Sequence, residues 1–226
     1  MSRQLNFDPL ARPYRLLEYL TFGKALEHCR FHFLPALAEA DSALVFGDGD
    51  GRFLGRLLKT NPYLIADVID ISPAMLDVLY KRLSPEERAR VTLHCADARQ
   101  FTIPEKTYDL VVTHFFLDCL FDPEISALID RIKLNLEPGA LWVVSEFSLP
   151  GNRIGALVGK ALISSLYLAF RVLTGLQVRT LPDGTTKLKK AGLELSDEYA
   201  HLSGLLISQL WRVPSSALKA TSPASR

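Results

Sequence analysis

The sequence predicts an α/β fold in which a doubly wound, mostly parallel sheet of seven strands carries helices on both faces. Short apolar runs typical of strands alternate with segments of helical periodicity over residues 43–147. A glycine-rich stretch, 47–51, follows the first apolar run and precedes a helical pattern. Strands separated by helices favour right-handed crossovers and a parallel sheet, in which ligands bind at the carboxyl ends of the strands.

Five strands and the helices between them account for this alternating region. The predicted strands are 43–46, 64–69, 91–95, 110–113 and 141–147, and the predicted helices include 51–59 and 125–136. Another helix begins after the second strand, because Ser72 is a favoured capping residue and Pro73 suits the first helical position. Residues 137–139, Glu-Pro-Gly, predict a turn before the fifth strand.

The regions on either side complete a single domain. Residues 1–40 are predicted to form an N-terminal helical cap, 41–149 the ligand-binding core, and 150–180 an apolar helical lid or interface. Residues 181–213 are predicted to form a terminal helix and a pair of strands with an antiparallel terminal strand, and 214–226 a frayed tail.

The apolar segment 154–176 is long enough to be considered as a membrane-spanning helix. Lys160 and Arg171 interrupt it, and cations oppose insertion into the hydrocarbon core. We therefore predict no stable membrane span and interpret the segment as a buried or partner-facing helix. Peripheral membrane contact and a homodimer remain open.

Composition excludes several functional classes. A formal net charge of +1 gives no electrostatic basis for nucleic-acid binding. Three widely spaced cysteines, Cys29, Cys95 and Cys119, predict neither a disulfide framework nor a zinc site, and they favour a cytoplasmic location. His28 and His32 are four residues apart, but no third ligand accompanies them, so no metal is predicted.

The glycine-rich loop indicates what kind of ligand binds. Gly47, Gly49 and Gly51 do not fit the dinucleotide pattern Gly-x-Gly-x-x-Gly, which holds a pyrophosphate at a helix N-terminus. Asp48 and Asp50 lie between the glycines. Two carboxylates favour a ligand with an ammonium and a sulfonium over a diphosphate. The loop therefore predicts S-adenosylmethionine.

Acidic residues at the next two strand ends extend this prediction. Asp70 closes the second strand, where a carboxylate can accept hydrogen bonds from both ribose hydroxyls. Asp97 follows the third strand and is a candidate acceptor for the amine of adenine. Each has a plain structural alternative, a solvated acid for Asp70 and a turn residue for Asp97.

The end of the fourth strand supplies candidate catalytic groups. His114 has an ordinary pKa near neutrality and is a candidate general base, and Asp118 is a candidate to orient it or to act as the base itself. The alternative for His114 is a packed, hydrogen-bonded residue. Phe115 and Phe116 are equally candidates for the core or for stacking on adenine.

As an ordered set, residues 45–54, 69–76, 96–98 and 108–112 resemble the class I S-adenosylmethionine-dependent methyltransferases. The resemblance implies a Rossmann-like core over about 41–147. It implies that Gly47, Gly49 and Gly51 border the methionine part of the cofactor, Asp70 the ribose, Ile71 and Met75 the adenine edge, and Asp97 its amine. Asp48, Asp50, Ala98, His114 and Phe115 complete the predicted cofactor-binding set.

One departure and one looser likeness qualify this resemblance. Family members often carry an acid just before the first glycine of the loop, where this chain has Phe46, and Asp48 or Asp50 is the candidate to compensate. The layout is also similar to methyltransferases of ubiquinone and menaquinone biosynthesis. This likeness implies that residues 154–176 and the N-terminal helices cover a pocket for a small apolar or aromatic acceptor.

Three functions follow as hypotheses. The first is methyl transfer to an O, N or C atom of a small molecule, assisted by His114 or Asp118. The second is a non-catalytic S-adenosylmethionine-binding or scaffold protein of the same fold. The third, a nicotinamide-dependent oxidoreductase, is disfavoured by the position of the third glycine and by the acidic loop.

Overall fold

A computed structural model of the chain describes residues 7, 8, 19 and 21–215. The strands are β1 (Ser42–Phe46), β2 (Ile65–Asp70), β3 (Val91–Cys95), β4 (Tyr108–His114), β5 (Leu136–Phe147), β6 (Glu194–His201) and β7 (Leu206–Arg212). The α-helices of this part of the chain are α1 (Ala25–Phe31), α2 (Arg52–Thr60), α3 (Pro73–Arg82), α4 (Pro85–Arg88), α5 (Asp122–Lys133), α6 (Arg153–Thr174) and α7 (Gly184–Lys190).

The strands form one sheet in the order β3-β2-β1-β4-β5-β7-β6. The first five are parallel, while β7 pairs antiparallel with both β5 and β6. The order reverses beside β1, so β1 and β4 form the switch point at which ligands bind in doubly wound sheets. The predicted fold class is confirmed, including the antiparallel end of the sheet.

Alternating strand residues divide the core between the two faces. In β1, Val45 packs with α2 and α3 on one face, whereas Leu44 and Phe46 pack with α5 and α7 on the other. Trp142 and Trp211 lie in this second cluster, and neither is exposed. Both faces of the parallel strands are therefore covered, which holds their carboxyl ends rigidly at one edge.

Local details differ from the sequence prediction in two places. The predicted turn at 137–139 lies inside β5, where Gly139 has a φ of +85° and the pairing register between β4 and β5 shifts. Helix α5 begins at Asp122 rather than at 125, because Glu124 accepts a hydrogen bond from the backbone of Phe121 and closes the helix start. The predicted cap of α3 is present, since the Ser72 hydroxyl accepts a hydrogen bond from the backbone of Met75.

The predicted N-terminal cap, 1–40, is described at residues 7, 8, 19 and 21–40, and the rest of it lies outside the described residues. Within the described part, α1 packs against β5 and β7, and the buried Cys29 Sγ lies 3.2 Å from the Ser208 hydroxyl. The predicted tail 214–226 is described only at 214 and 215.

Helix α6 covers residues 154–174 of the predicted apolar segment 154–176 without interruption. Asn152 caps its first turn, and Gly175, with a φ of +79°, ends it. Among the described residues, α6 is the one helix with the length and composition to cross a membrane. One side of α6 packs on the core through Gly159, Ile163 and Tyr167, but the opposite side is exposed. The helix is therefore not fully buried, and the alternative prediction of a partner-facing helix stays a prediction for the outer side.

Candidate active site

Two cavities adjoin at the carboxyl edge of the parallel strands. The first, the strand-end cleft, is lined by the loops after β1, β2, β3 and β4. The second, the apolar cavity, lies between α1, α6 and the loop after β4. Phe115 and Cys119 line both, so a ligand in one cavity comes close to a ligand in the other.

The glycine-rich loop forms one wall of the strand-end cleft. Gly47 and Gly49 line the cleft with φ angles of +61° and +62°, a region that L side chains rarely adopt. A Cβ atom on Gly47 would lie 2.7 Å from Cδ2 of Phe116. Gly51 instead packs on Leu79 of α3, and it starts α2 rather than lining the cleft. These positions leave the backbone open towards the cleft.

The two loop carboxylates turn away from the strand-end cleft. Asp48 Oδ2 accepts a hydrogen bond from the backbone of Leu54 at 3.1 Å, and burial raises the pKa of Asp48 to about 7. Asp50 is paired with Arg52 and Arg82, each at 2.9 Å. The prediction that Asp48 and Asp50 present their charges to the cofactor is therefore wrong in this structure. The Asp48 carboxylate instead accepts a backbone hydrogen bond from the first turn of α2, and the Asp50 carboxylate pairs with two neighbouring guanidinium groups.

Asp70 lies where the sequence places it, at the end of β2 and on the wall of the strand-end cleft. Its Oδ1 accepts a hydrogen bond from the backbone of Ser72 at 2.8 Å. Burial raises the pKa of Asp70 to about 6, so the carboxylate form dominates at neutral pH. Ile71 and Met75 line the same cleft beside it and supply an apolar surface.

The loop after β3 closes the far side of the strand-end cleft. Asp97 and Ala98, the residues predicted to bind the cofactor there, line it together with Arg99. The Arg99 guanidinium donates to both carboxylate oxygens of Asp97, and these hydrogen bonds lower the pKa of Asp97. Asp97 is therefore an ionised hydrogen-bond acceptor, and its hydrogen bonds with Arg99 fix the orientation of its carboxylate.

His114 lies beneath the site rather than in it. Its side chain is buried and lines neither cavity among the described residues. Nδ1 lies 2.8 Å from the Ser145 hydroxyl, and the ring packs edge-on against Phe53 at 4.3 Å. Burial holds the pKa of His114 well below its usual value, so the ring is neutral. The structure corrects the prediction that His114 contacts cofactor or acceptor.

Phe115 separates the two cavities. Its φ of +52° is unusual for a residue with a side chain, and such strain is often found at functional sites. The Arg30 guanidinium lies 5.2 Å from the centre of its ring, and the Phe147 ring packs on it at 5.2 Å. The backbone turn at Phe115 therefore leads the chain from β4 to Asp118 while the phenyl ring forms a wall of each cavity.

The apolar cavity has a volume of about 170 Å³. A dry cavity of about 150 Å³ is enough to bind benzene, so this one accommodates an aromatic ring. Its walls are mainly aromatic and aliphatic, and Arg30 and Asp118 supply charged groups among the described lining residues. The sequence gives no signal for Arg30 at this site, because only the folded chain brings α1 to the apolar cavity.

Asp118 is the ionisable acid of the apolar cavity. Its side chain is buried, its backbone carbonyl accepts a hydrogen bond from the Tyr167 hydroxyl at 3.2 Å, and burial raises the pKa of its carboxyl to about 6. Burial, reinforced by the charge of Asp118, holds the pKa of the neighbouring Glu146 well above its usual value. Glu146 therefore takes up a proton at higher pH than an ordinary glutamate does, whereas Asp118, with its pKa of about 6, is mainly ionised at neutral pH.

Phe7 of the strand-end cleft and the neighbouring Asp8 have roles that the sequence did not predict. Phe7 lines the cleft and packs with Met75, while the Asp8 carboxylate accepts hydrogen bonds from the Ser72 hydroxyl and the Ala74 backbone. These contacts bring residues 7 and 8 to the helix that follows β2. A Phe-Asp pair in a polar N-terminal segment gives no local signal for such a role.

Comparison with known proteins agrees with this geometry. Residues 43–139 match the family model described as a methyltransferase domain. The mitochondrial 2-methoxy-6-polyprenyl-1,4-benzoquinol methylase of Caenorhabditis elegans is 33% identical over 106 residues, which is 45% of this chain and 35% of that protein. Phosphoethanolamine N-methyltransferase 1 of Triticum aestivum is 32% identical over 118 residues, which is 50% of this chain and 22% of that protein.

Among solved structures, the N-methyltransferase NodS from Bradyrhizobium japonicum WM9 in complex with S-adenosyl-L-homocysteine has the same fold. The TM-score is 0.59 with 20% identity over 84% of this chain and 88% of that chain. These findings confirm the predicted resemblance to class I S-adenosylmethionine-dependent methyltransferases: residues 43–139 match a methyltransferase domain, and the fold is shared with a methyltransferase of known structure. The chain spans about a third or less of the curated relatives' length.

Proposed function

We propose that this protein is an S-adenosylmethionine-dependent methyltransferase whose acceptor is a small apolar or aromatic molecule. The observation that carries the proposal is the pair of adjoining cavities, one with nucleotide-site features and one apolar, which meet at Phe115 and Cys119. Holding donor and acceptor in contact accounts for much of the acceleration of a bimolecular reaction.

The residues of the strand-end cleft fit the proposed cofactor. Gly47 and Gly49 leave the backbone open, Asp70 offers a carboxylate for ribose hydroxyls, and Met75 offers an apolar surface for adenine. When bound, S-adenosylmethionine would supply an electrophilic methyl group. The family match and the product complex of NodS support this assignment. The loop carboxylates are engaged elsewhere, and Asp70, which is partly buried, provides negative charge on the wall of the cleft.

Within the apolar cavity, Asp118 is the group we assign to proton transfer. An ionised carboxylate among apolar walls accepts a proton from an acceptor hydroxyl, since its pKa is raised towards neutrality. Phe115 and Tyr167 form walls that exclude water. Arg30 lies in the same cavity and favours negative charge that develops on the acceptor.

The two curated relatives suggest different acceptors, and the cavity favours one of them. The name of the worm relative specifies a polyprenyl benzoquinol, and that of the wheat relative specifies phosphoethanolamine. Phe22, Phe115, Phe147 and Phe170 contribute aromatic walls to this cavity. Such walls favour an apolar ring over a zwitterion, because burying charge without partners is costly.

A transfer assay tests the proposed reaction. The purified chain is incubated with S-adenosylmethionine labelled at the methyl group and with a panel of alkyl-substituted phenols and quinols, or with phosphoethanolamine. We expect label in the organic extract of the phenol and quinol reactions. Cofactor binding without transfer to any member of a broad panel would favour the non-catalytic alternative.

Gly47→Ala is expected to weaken binding of S-adenosylhomocysteine about tenfold or more, equivalent to about 1.4 kcal/mol. The added Cβ would lie 2.7 Å from the Phe116 ring, which lines the cleft and would have to shift. Calorimetric titration measures the effect. Gly192→Ala is the matched control, because Gly192 also has a positive φ, +86°, but a Cβ there meets no atom within 4 Å. Equal affinity of both variants for the ligand would contradict the assignment of the loop to the cleft.

Ile163→Trp is expected to raise the KM for the acceptor about tenfold or more and leave cofactor affinity unchanged. The larger ring fills the apolar cavity, which Ile163 lines, and overfilling a packed site typically costs about 1–3 kcal/mol. Initial rates at several acceptor concentrations give KM. Ser164→Trp, exposed on the same helix, is the control. A matching rise in the cofactor dissociation constant would indicate general distortion instead.

A further inference from the structure

Helix α6 exposes a large apolar face that the proposed reaction does not use. Ile154, Leu157, Val158, Leu168 and Val172 are between 62% and 79% exposed. They recur at helical spacing, so they lie on one side of a 22-residue helix, opposite the side that packs on the core. Large apolar patches of this kind mark interaction sites rather than ordinary protein surface.

Cations border this apolar face along one edge. Arg153, Lys160 and Arg171 follow one another at intervals of seven and eleven residues. Both intervals are close to whole numbers of helical turns, so the three side chains lie in one row. Within the described part of the chain, none of them forms an ion pair. Residues 151–182 contain four cations, with Arg179, and no acid.

We propose that α6 docks in the plane of a membrane surface that contains anionic lipids, with its apolar face in the acyl boundary and its row of cations at the headgroups. An exposed apolar face beside a row of cations is the pattern of helices that lie in a membrane interface. A spanning helix would have to leave the core, whereas Tyr167 is hydrogen-bonded to the backbone of Asp118.

The main alternative is that a second copy of this chain covers the apolar face of α6. A symmetric dimer formed through α6 would bring the cation rows of two copies together, and residues 151–182 supply no acid to pair with them. Anionic headgroups supply that missing charge. Charge complementarity therefore favours the lipid surface.

Docking also explains where an apolar acceptor enters, a point that rests on the proposed function. Ala169 and Leu173 line the apolar cavity and are also exposed at the surface of α6. The wall of the cavity is thus continuous with the proposed lipid-facing helix. An acceptor held in the membrane would reach the cavity without crossing water.

Vesicle sedimentation with the full chain tests the proposal without cofactor or acceptor. We expect binding to phosphatidylcholine vesicles that contain phosphatidylglycerol, and weaker binding to phosphatidylcholine alone or at high salt. Replacing Arg153, Lys160 and Arg171 by Gln should weaken binding to the anionic vesicles about fivefold per charge. No binding of the wild-type chain to either vesicle would overturn the proposal and leave methyl transfer unaffected.

A double variant separates the lipid surface from a dimer. Leu157→Glu with Leu168→Glu should reduce vesicle binding about tenfold or more, because each leucine loses its burial in the acyl boundary. Leu134→Glu, at a residue that is 85% exposed elsewhere, is the control and should bind like the wild type. Melting curves and affinity for S-adenosylhomocysteine check that each variant is folded. A wild-type dimer that the double variant converts to monomers would overturn the proposal in favour of a second copy.

Discussion

Asp118→Asn is expected to lower kcat by about 10²–10⁴-fold with a hydroxyl acceptor, the usual contribution of a positioned acid–base group. The amide keeps the shape of the side chain but cannot take up the proton. The pH profile provides a second measurement. Because the pKa of Asp118 is raised to about 6, wild-type kcat should rise as pH increases through about 6, and the variant should lose this rise.

Asp122→Asn is the matched control for this experiment. Asp122 follows Asp118 closely in the chain, but its side chain is 63% exposed and lines neither cavity at the active site. It should retain wild-type kcat and the same pH profile. A kcat for Asp118→Asn within about threefold of wild type across this pH range, far below the usual contribution of an acid–base group, would remove Asp118 from catalysis.

Asp70→Asn is expected to weaken binding of S-adenosylmethionine and S-adenosylhomocysteine about 10–100-fold, because hydrogen bonds to a charged group are worth about 1.5–3 kcal/mol. The wild-type affinity should also depend on pH. The carboxylate form accepts hydrogen bonds from both ribose hydroxyls, so affinity should fall as pH decreases through about 6, the raised pKa of Asp70. Calorimetry across this range measures both effects.

Asp77→Asn, on the exposed side of α3, controls for the loss of one negative charge near the cleft. Its affinity and pH dependence should match those of the wild type. If Asp70→Asn keeps the wild-type affinity, the ribose is not bound at the end of β2.

The features that the sequence predicted correctly depend on local pattern. The alternation of apolar runs and helical segments predicted the sheet. The cap at Ser72 needed only the neighbouring residues, and it is present. The position of Asp70 could be predicted because Asp70 is the last residue of β2, and the carboxyl ends of parallel strands meet at one edge of the sheet.

The errors at the site arise from contacts between distant residues. Asp50 was predicted to face the ligand, yet Arg82 lies 32 residues away in sequence and pairs with it. The charge of a loop therefore does not give the direction of its carboxylates. For His114, strand alternation held a usable signal. Like Leu110 and Val112, it points towards the α2 face, where it meets Phe53.

The apolar cavity could not be derived from any single segment. It forms where α1, α6 and the loop after β4 meet, and the positive φ of Phe115 sets the course of that loop. A phenylalanine gives no sequence signal for such a turn, since glycine is the usual residue there. The apolar outer face of α6 can be recognised only in the structure, which leaves one side of the helix exposed.

Calorimetric titration of the purified chain with S-adenosylhomocysteine, S-adenosylmethionine and NADH tests the central claim most directly. The account predicts that both sulfur-containing ligands bind one per chain and compete with each other, that NADH does not bind, and that Asp70→Asn weakens both. Absence of binding to both S-adenosylmethionine and S-adenosylhomocysteine would contradict it.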